Sequence, residues 1–348
     1  MDLELSDEQQ WLSEAVETLL AREAGGGRLW ARLVEFGALS VGGEDGLGAV
    51  ELCLIARALG AHLAPVPYLG SAAVRFAAGP PAADLGEHAV ALAVLEPGAS
   101  WAAPPGLTVL ETVAGGGAVT GRKTAVEHAA AVPRLAVVAA APHGAALCVV
   151  EADAPGVACV PQPSFDATAP MYAVELAEAR LASEPLGDDA IARLATIGAL
   201  LAAAEAVGAA GRMLEDARGY AAERRQFGRT IGSFQALRHL LADMYVRQAS
   251  SWSSVLYAAA ALDEDSGDAA RTVSVAKAYV SRAAREVAHG AMQVFGGVAV
   301  TEEHPAHRYL RRIVVRERQF GDAAHHEREL GRALAAAARP LELAAERA

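Results

Sequence analysis

From residue 187 onward, apolar residues return at helical spacing through one long stretch after another, and this restricts the chain more than any other feature. Leu194, Ile197, Leu201, Ala204 and Gly208 share one face of a first helix, whose start Asp188 or Asp189 can cap. A second stretch sets Phe234, Leu237, Leu241 and Met244 together. A third, beginning near Asp268, aligns Val273, Ala276, Val280, Ala284 and Val287, and a fourth follows Pro305. Long helices joined by short turns predict an antiparallel four-helix bundle. The Ala-rich end, residues 332–348, reads as a final helix that frays.

Two regions of different character precede the bundle. Residues 1–86 read as helical: Ser6 followed by Gln9 fits a capping box, and Leu12, Val16, Leu19 and Leu20 keep helical spacing. Gly42 to Gly46 is a turn, and Val50, Cys53, Leu54 and Ala58 begin a further amphipathic stretch. Residues 87–184 instead carry short, β-prone apolar runs at 89–95, 135–139 and 147–150. Pro97-Gly98, Pro104-Pro105-Gly106, Gly115-Gly116-Gly117 and Pro155-Gly156 punctuate them as turns, giving a small β domain, barrel or sandwich. The expected fold is therefore α+β in three domains: N-terminal helices (1–86), a central β domain (87–184) and a C-terminal helical bundle (185–348).

Composition narrows the function classes. A formal net charge of −12 argues against a general nucleic-acid surface. Although 53% of the residues are apolar, the longest apolar runs are Ala-rich and carry Gly, as in packed helices, so no membrane partner is expected. The acidic start Met1-Asp2-Leu3-Glu4-Leu5 lacks the basic and apolar segments of a signal peptide. Cys53, Cys148 and Cys159 show no metal or disulfide spacing, and a cytoplasmic protein is expected. Two local basic groups, Arg224/Arg225/Arg229 and Arg308/Arg311/Arg312, reverse the overall sign. They point either to a small anionic ligand or to salt-bridged, solvated helix faces, and composition alone favours the latter.

Two segments of the bundle decide between these. The first runs Arg224-Arg225-Gln226-Phe227-Gly228, then Ile231 and Phe234-Gln235, ending in Leu241-Ala242-Asp243-Met244. The second is Gln293-Val294-Phe295-Gly296-Gly297, followed by Glu302-Glu303-His304-Pro305 and Arg308-Tyr309-Leu310-Arg311. In this order, within a helical, β, helical chain, they resemble the FAD-dependent acyl-CoA dehydrogenase family over nearly the whole length, most strongly after residue 187.

The resemblance implies an FAD site. Arg224, as the Arg of the family's RxxFG, grips the pyrophosphate by charge-assisted hydrogen bonds. Gln235, the Gln of the FQ pair, contacts the cofactor, and Gln226 fits the common RxQFG form. Gln293, Gly296 and Gly297 let backbone approach the ADP moiety. Phe227 packs beside the cofactor or is a core aromatic of the bundle. In this family these groups reach across a subunit interface to a neighbour's FAD, which implies an obligate oligomer acting on an acyl-CoA substrate.

The catalytic half departs from the family. Its reaction needs a carboxylate to take the α-proton of the thioester. Aligned on Gly321, Phe320 occupies the usual Glu position; Ala192, ahead of Arg193-Leu194, occupies the alternative one. Asp322 is out of register, and is either an atypical base or, the reading we prefer, the N-cap of the last helix. In the strand that faces the isoalloxazine in the family, Ala125 replaces a Trp and Glu127 a hydroxyl residue. Of the family's acidic-proline loop, only Leu95-Glu96-Pro97-Gly98-Ala99-Ser100 remains.

An intact ADP half beside an eroded ring half resembles the non-catalytic subunit of a two-gene heterotetrameric acyl-CoA dehydrogenase, completing the FAD site of a homologous catalytic subunit. Two alternatives stand beside it: a self-sufficient homo-oligomer with Asp322 as base, and a flavin-free binding or scaffold protein. No metal is expected, since His325 and His326 diverge on a helix and His304 and His307 flank Pro305 without companion ligands.

Overall fold

The computed structural model describes the chain except residues 1–3, 24–27, 42–45, 80–84, 102, 114–115 and 338–348. The expected turn at Gly42 to Asp45 and Gly115 of the triple glycine fall outside the described residues.

Helix α1 (Asp7–Glu23) starts at the expected capping box: the Gln9 N–H donates to Ser6 Oγ at 3.2 Å, and the Ser6 N–H to Gln9 Oε1 at 3.1 Å. It buries Leu12, Val16 and Leu20. Helices α2 (Leu29–Glu35), α3 (Ala49–Ala61) and α4 (Tyr68–Ala78) follow. α3 is buried on nearly every face, because it lies between α1 and the central helix of the bundle.

The central region folds as one curled sheet. Its strands are β1 (Val90–Ala93), β2 (Val109–Val113), β3 (Gly116–Glu127), β4 (Arg134–Ala141), β5 (Gly144–Glu151), β6 (Val157–Gln162) and β7 (Met171–Arg180). The order is β1-β4-β2-β3-β7-β6, with β5 also paired to β4. Val119, Val126, Leu135, Val137, Cys148, Val150 and Val174 form its own apolar core. Gly116 and Gly117, expected in a turn, already belong to β3, because Val113 pairs directly with Gly116.

The bundle is built on α5 (Asp188–Glu223), α6 (Gln235–Asp263), α7 (Ala269–Phe295) and α8 (Ala306–Arg318), followed by α9 (Ala323–Ala337). A short hairpin, β8 (Arg225–Gln226) and β9 (Arg229–Thr230), separates α5 from α6. α5 is long and apolar enough to cross a bilayer by composition, but 72% of its most apolar window is buried inside the protein. Its small residues allow close crossing: a Cβ on Gly208 would lie 1.8 Å from the Arg57 carbonyl oxygen on α3. Two expected details differ. Gly187 is the N-cap of α5, while Asp188 turns away to accept the Ala145 N–H at 2.8 Å, fastening the helix start to β5. Phe234 precedes α6 instead of lying on its apolar face.

Candidate functional site

Two separate places hold the residues singled out from the sequence. The first is the end of the bundle where α5 and α7 finish and α6 and α8 begin. Tyr220, one turn before the end of α5, meets Phe295 at the end of α7 with ring centroids 5.5 Å apart, and Phe295 meets His304 at 4.4 Å. These contacts bring Arg224 and the Gly296-Gly297 segment to the same end.

Arg224 follows α5 directly and is exposed; among the described residues no carboxylate pairs with it. Its carbonyl accepts the Ile231 N–H at 2.8 Å, which closes the hairpin. Phe227 and Gly228 make the hairpin turn with φ of 52° and 78°. Phe227 is 89% exposed at the tip, so the core-aromatic reading does not hold. Gln226 is exposed, its backbone paired with Arg229. The Arg229 guanidinium lies 4.0 Å from the centre of the Phe234 ring.

Gln235, the first residue of α6, is exposed and bonds His239 Nε2 at 3.1 Å. Gln293 faces outward from the last turn of α7. Gly296 ends that helix with φ +69°, and Cβ atoms at Gly296 and Gly297 would meet nothing within 4 Å. Gly296 is thus explained by its backbone conformation, whereas among the described residues nothing requires a glycine at 297. Arg224, Gln226, Phe227, Gln235, Gln293, Gly296 and Gly297 are all exposed on this end.

The second place is the cleft between the sheet and the bundle. It is lined by Leu69, Leu92, Trp101, Ala125, Glu127 and Phe320 among others, and its void is about 20 Å³. Ala125 adopts φ +51° at a bulge in β3, where its N–H and the Thr124 hydroxyl donate to Gln162 Oε1 at 2.9 and 3.0 Å. Phe320, at φ +56°, packs its ring against Trp101 with centroids 5.0 Å apart. The ring also fills the space that Gly198 leaves, for a Cβ there would lie 2.4 Å from it.

Beside Phe320 runs a buried ion network that sequence reading missed. Arg316 donates to Glu205 on α5, to Glu127 on β3 and, at 2.7 Å, to Gln319. Arg312 donates to Asp166, to Glu205 and, at 2.6 Å, to Thr168. The expected basic patch of Arg308, Arg311 and Arg312 therefore splits: Arg312 is 1% exposed inside the protein, while Arg308 and Arg311 stay outside. Burial pushes the Glu127 and Asp166 carboxyls up, but Arg316 and Arg312 respectively outweigh it and leave both below their ordinary values. The signal available in the sequence was the i,i+4 spacing of Arg312 and Arg316, which sets both on one face of α8.

Neither expected position supplies a base. Ala192 is an exposed residue of α5, and Phe320 plugs the cleft. Asp322 caps α9: its Oδ1 accepts the His325 N–H at 2.9 Å, and that bond holds its carboxyl below the ordinary value. It is not among the residues lining the cleft. Contrary to expectation, His325 and His326 do not diverge: their rings meet edge to face with centroids 5.0 Å apart. His326 is buried, its Nε2 bonded to the Phe320 carbonyl at 3.0 Å and its Nδ1 to the Ser274 hydroxyl at 3.2 Å. Glu96, in the surviving loop, is structural. Burial raises its carboxyl, but bonds from Gly106, Leu107 and Lys123 bring it to about 2.

Residues 187–345 match the family described as Acyl-CoA dehydrogenase, C-terminal domain. Acyl-CoA dehydrogenase FadE27 of Mycobacterium tuberculosis is 32% identical over 328 residues, covering 88% of each chain. Acyl-CoA dehydrogenase IpdE2 of Mycolicibacterium smegmatis is 39% identical over 152 residues, 44% of this chain and 45% of that one. Among solved structures, the ChsE4-ChsE5 complex from Mycobacterium tuberculosis superposes with a TM-score of 0.86 at 29% identity, over 97% of this chain and 100% of that one. A variant of the Tcur3481-Tcur3483 steroid ACAD gives 0.86 at 26% identity, over 95% and 98%.

Proposed function

This chain belongs to the acyl-CoA dehydrogenase family, and we propose that within it the chain acts as the subunit that completes the FAD site of a homologous catalytic partner. The observation that carries this reading is the outward-facing, uncovered set at the bundle end: Arg224, Gln226, Phe227, Gln235, Gln293, Gly296 and Gly297. A guanidinium with no carboxylate partner among the described residues suits a diphosphate, which it can bind through paired, charge-assisted hydrogen bonds. Gly297, which no described residue crowds, suits close approach by something outside the chain.

On this reading Arg224 holds the pyrophosphate, Gln235 and Gln293 orient the ADP portion, and Phe227 packs beside it or against the partner. FAD, when bound, supplies the hydride acceptor for α,β-dehydrogenation of an acyl-CoA thioester. The proton-abstracting carboxylate comes from the partner, because Phe320 and Ala192 bring none. That relatives in solved structures are named as two-component complexes supports a partner of the same family. The name of one as a steroid ACAD makes steroid thioesters the first substrate class to try.

The test is co-expression with a homologue that keeps its catalytic Glu. The pair is expected to copurify with FAD and to dehydrogenate an acyl-CoA. Arg224→Ala is expected to lower FAD retention, and unchanged retention would overturn the assignment.

A further inference from the structure

We propose that the cleft between the sheet and the bundle is closed by the chain's own side chains, so that this subunit admits neither a flavin ring nor an acyl thioester there. The inference deepens the shared-site reading and rests on it only in expecting a ring at this place in a self-sufficient member. Everything that closes the cleft is built from this chain.

The volume comes first. A small-molecule site offers roughly 300–1,000 Å³, whereas this cleft holds about 20 Å³, room for one water. Phe320 takes the apolar part. Its ring lies against Trp101 and in the notch of Gly198, and its carbonyl is held by His326. Position 320 sits at φ +56°, a left-handed conformation that a bulky residue keeps only where packing over-determines it.

The charged part is equally occupied. Glu127 enters from β3 and is bonded by Arg316 and, at 3.2 Å, by Gln319. Arg316 and Arg312 meet on Glu205 of α5, and Arg312 continues to Asp166 in the loop before β7. Three segments of the sheet region and bundle are thereby clamped by groups that a ligand would have to strip of their partners. A buried pair that loses one partner leaves an uncompensated charge, so entry of a neutral ring is strongly opposed. The residues present thus fit the diphosphate end of the partner's FAD at the bundle end, and do not fit a flavin ring in this chain's own cleft.

The experiment uses lumiflavin, an isoalloxazine ring with no diphosphate, titrated into the full chain complexed with its partner and saturated with FAD. Lumiflavin does not probe Arg224, so its result is separable from that of Arg224→Ala. The native complex is expected to take up none by equilibrium dialysis. The double variant Phe320→Ala/Glu127→Ser is expected to bind it saturably, with uptake at least about ten-fold above the background of the native complex. Saturable uptake by the native complex that Trp101→Phe alters would overturn the proposal. So would a folded double variant that still excludes the ring.

A second pair of variants covers failure of that double variant to fold. Gly198→Ala is expected to lower the melting temperature by about 5 °C or more, because its methyl would strike the Phe320 ring. Phe320→Ala in the same chain is expected to make that substitution harmless. Absence of this suppression would show that the ring does not sit in the notch, and would also overturn the proposal.

Discussion

Arg316 grips Glu205 through two nitrogens, Nε to Oε2 at 2.8 Å and Nη2 to Oε1 at 3.2 Å. Both side chains are buried, and Arg312 donates to the same carboxylate. Glu205→Ala would remove the carboxylate that both guanidinium groups share. Among the described residues, Arg316 would keep only the Glu127 carboxylate and Arg312 only that of Asp166. A loss of about 3 kcal/mol in unfolding free energy is expected. Glu205→Gln, which keeps one carbonyl oxygen that can accept from both arginines at the Oε1 position, should lose less. Urea titrations of both variants check the order.

The two glycine classes predict opposite outcomes. Gly208→Ala puts a methyl 1.8 Å from the Arg57 carbonyl oxygen, a backbone atom that cannot step aside. A destabilisation of about 3 kcal/mol or a failure to fold is expected. Gly297→Ala meets nothing, so stability should stay within about 0.5 kcal/mol of the parent. If the bundle end holds the ADP portion of FAD, Gly297→Ala should nevertheless weaken flavin retention in the complex. Thermal melts and flavin-to-protein absorbance ratios separate the two effects.

Asp322→Ala removes the cap of α9 and is expected to cost about 1 kcal/mol. Turnover by the complex should be retained. Loss of activity by about 10²-fold or more, without unfolding, would instead identify Asp322 as the base.

His326 makes stability pH-dependent. Burial foremost, with the nearby Lys277 and His325 charges, lowers its imidazole to about 4 in the folded chain. The unfolded chain takes up this proton near the ordinary value of about 6.5. Between these values the unfolded state binds more protons, so the contribution is fully present above about pH 6.5 and falls away toward pH 4. Denaturation midpoints measured across this window should decline as the pH drops, and His326→Gln should flatten that part of the curve.

Much of the architecture was legible because it rests on local signals. The Ser6/Gln9 box begins α1 where expected, and the apolar stripe of Val273, Ala276, Val280, Ala284 and Val287 is buried along α7. The bundle-end residues were found because a short spacing carries them. The cleft was not legible in the same way. Asp166, Glu205 and Glu127 lie in three distant segments, and no spacing rule announces that they converge on Arg312 and Arg316. Phe320 was recognised as a missing carboxylate, but its role as a plug depends on Gly198, more than a hundred residues earlier. Asp188 misled for a similar reason: it satisfies a strand amide instead of its own helix.

The length of α5 gives these local facts a common reach. Its 36 residues span about 54 Å at 1.5 Å per residue. Its first carboxylate is tied to β5, Glu205 sits at its middle in the clamp, and Arg224 follows its last turn. A single stiff rod therefore fixes how far the outward guanidinium projects, and its seat is set deep inside the molecule. Loosening the clamp should be felt first by whatever docks at the far tip.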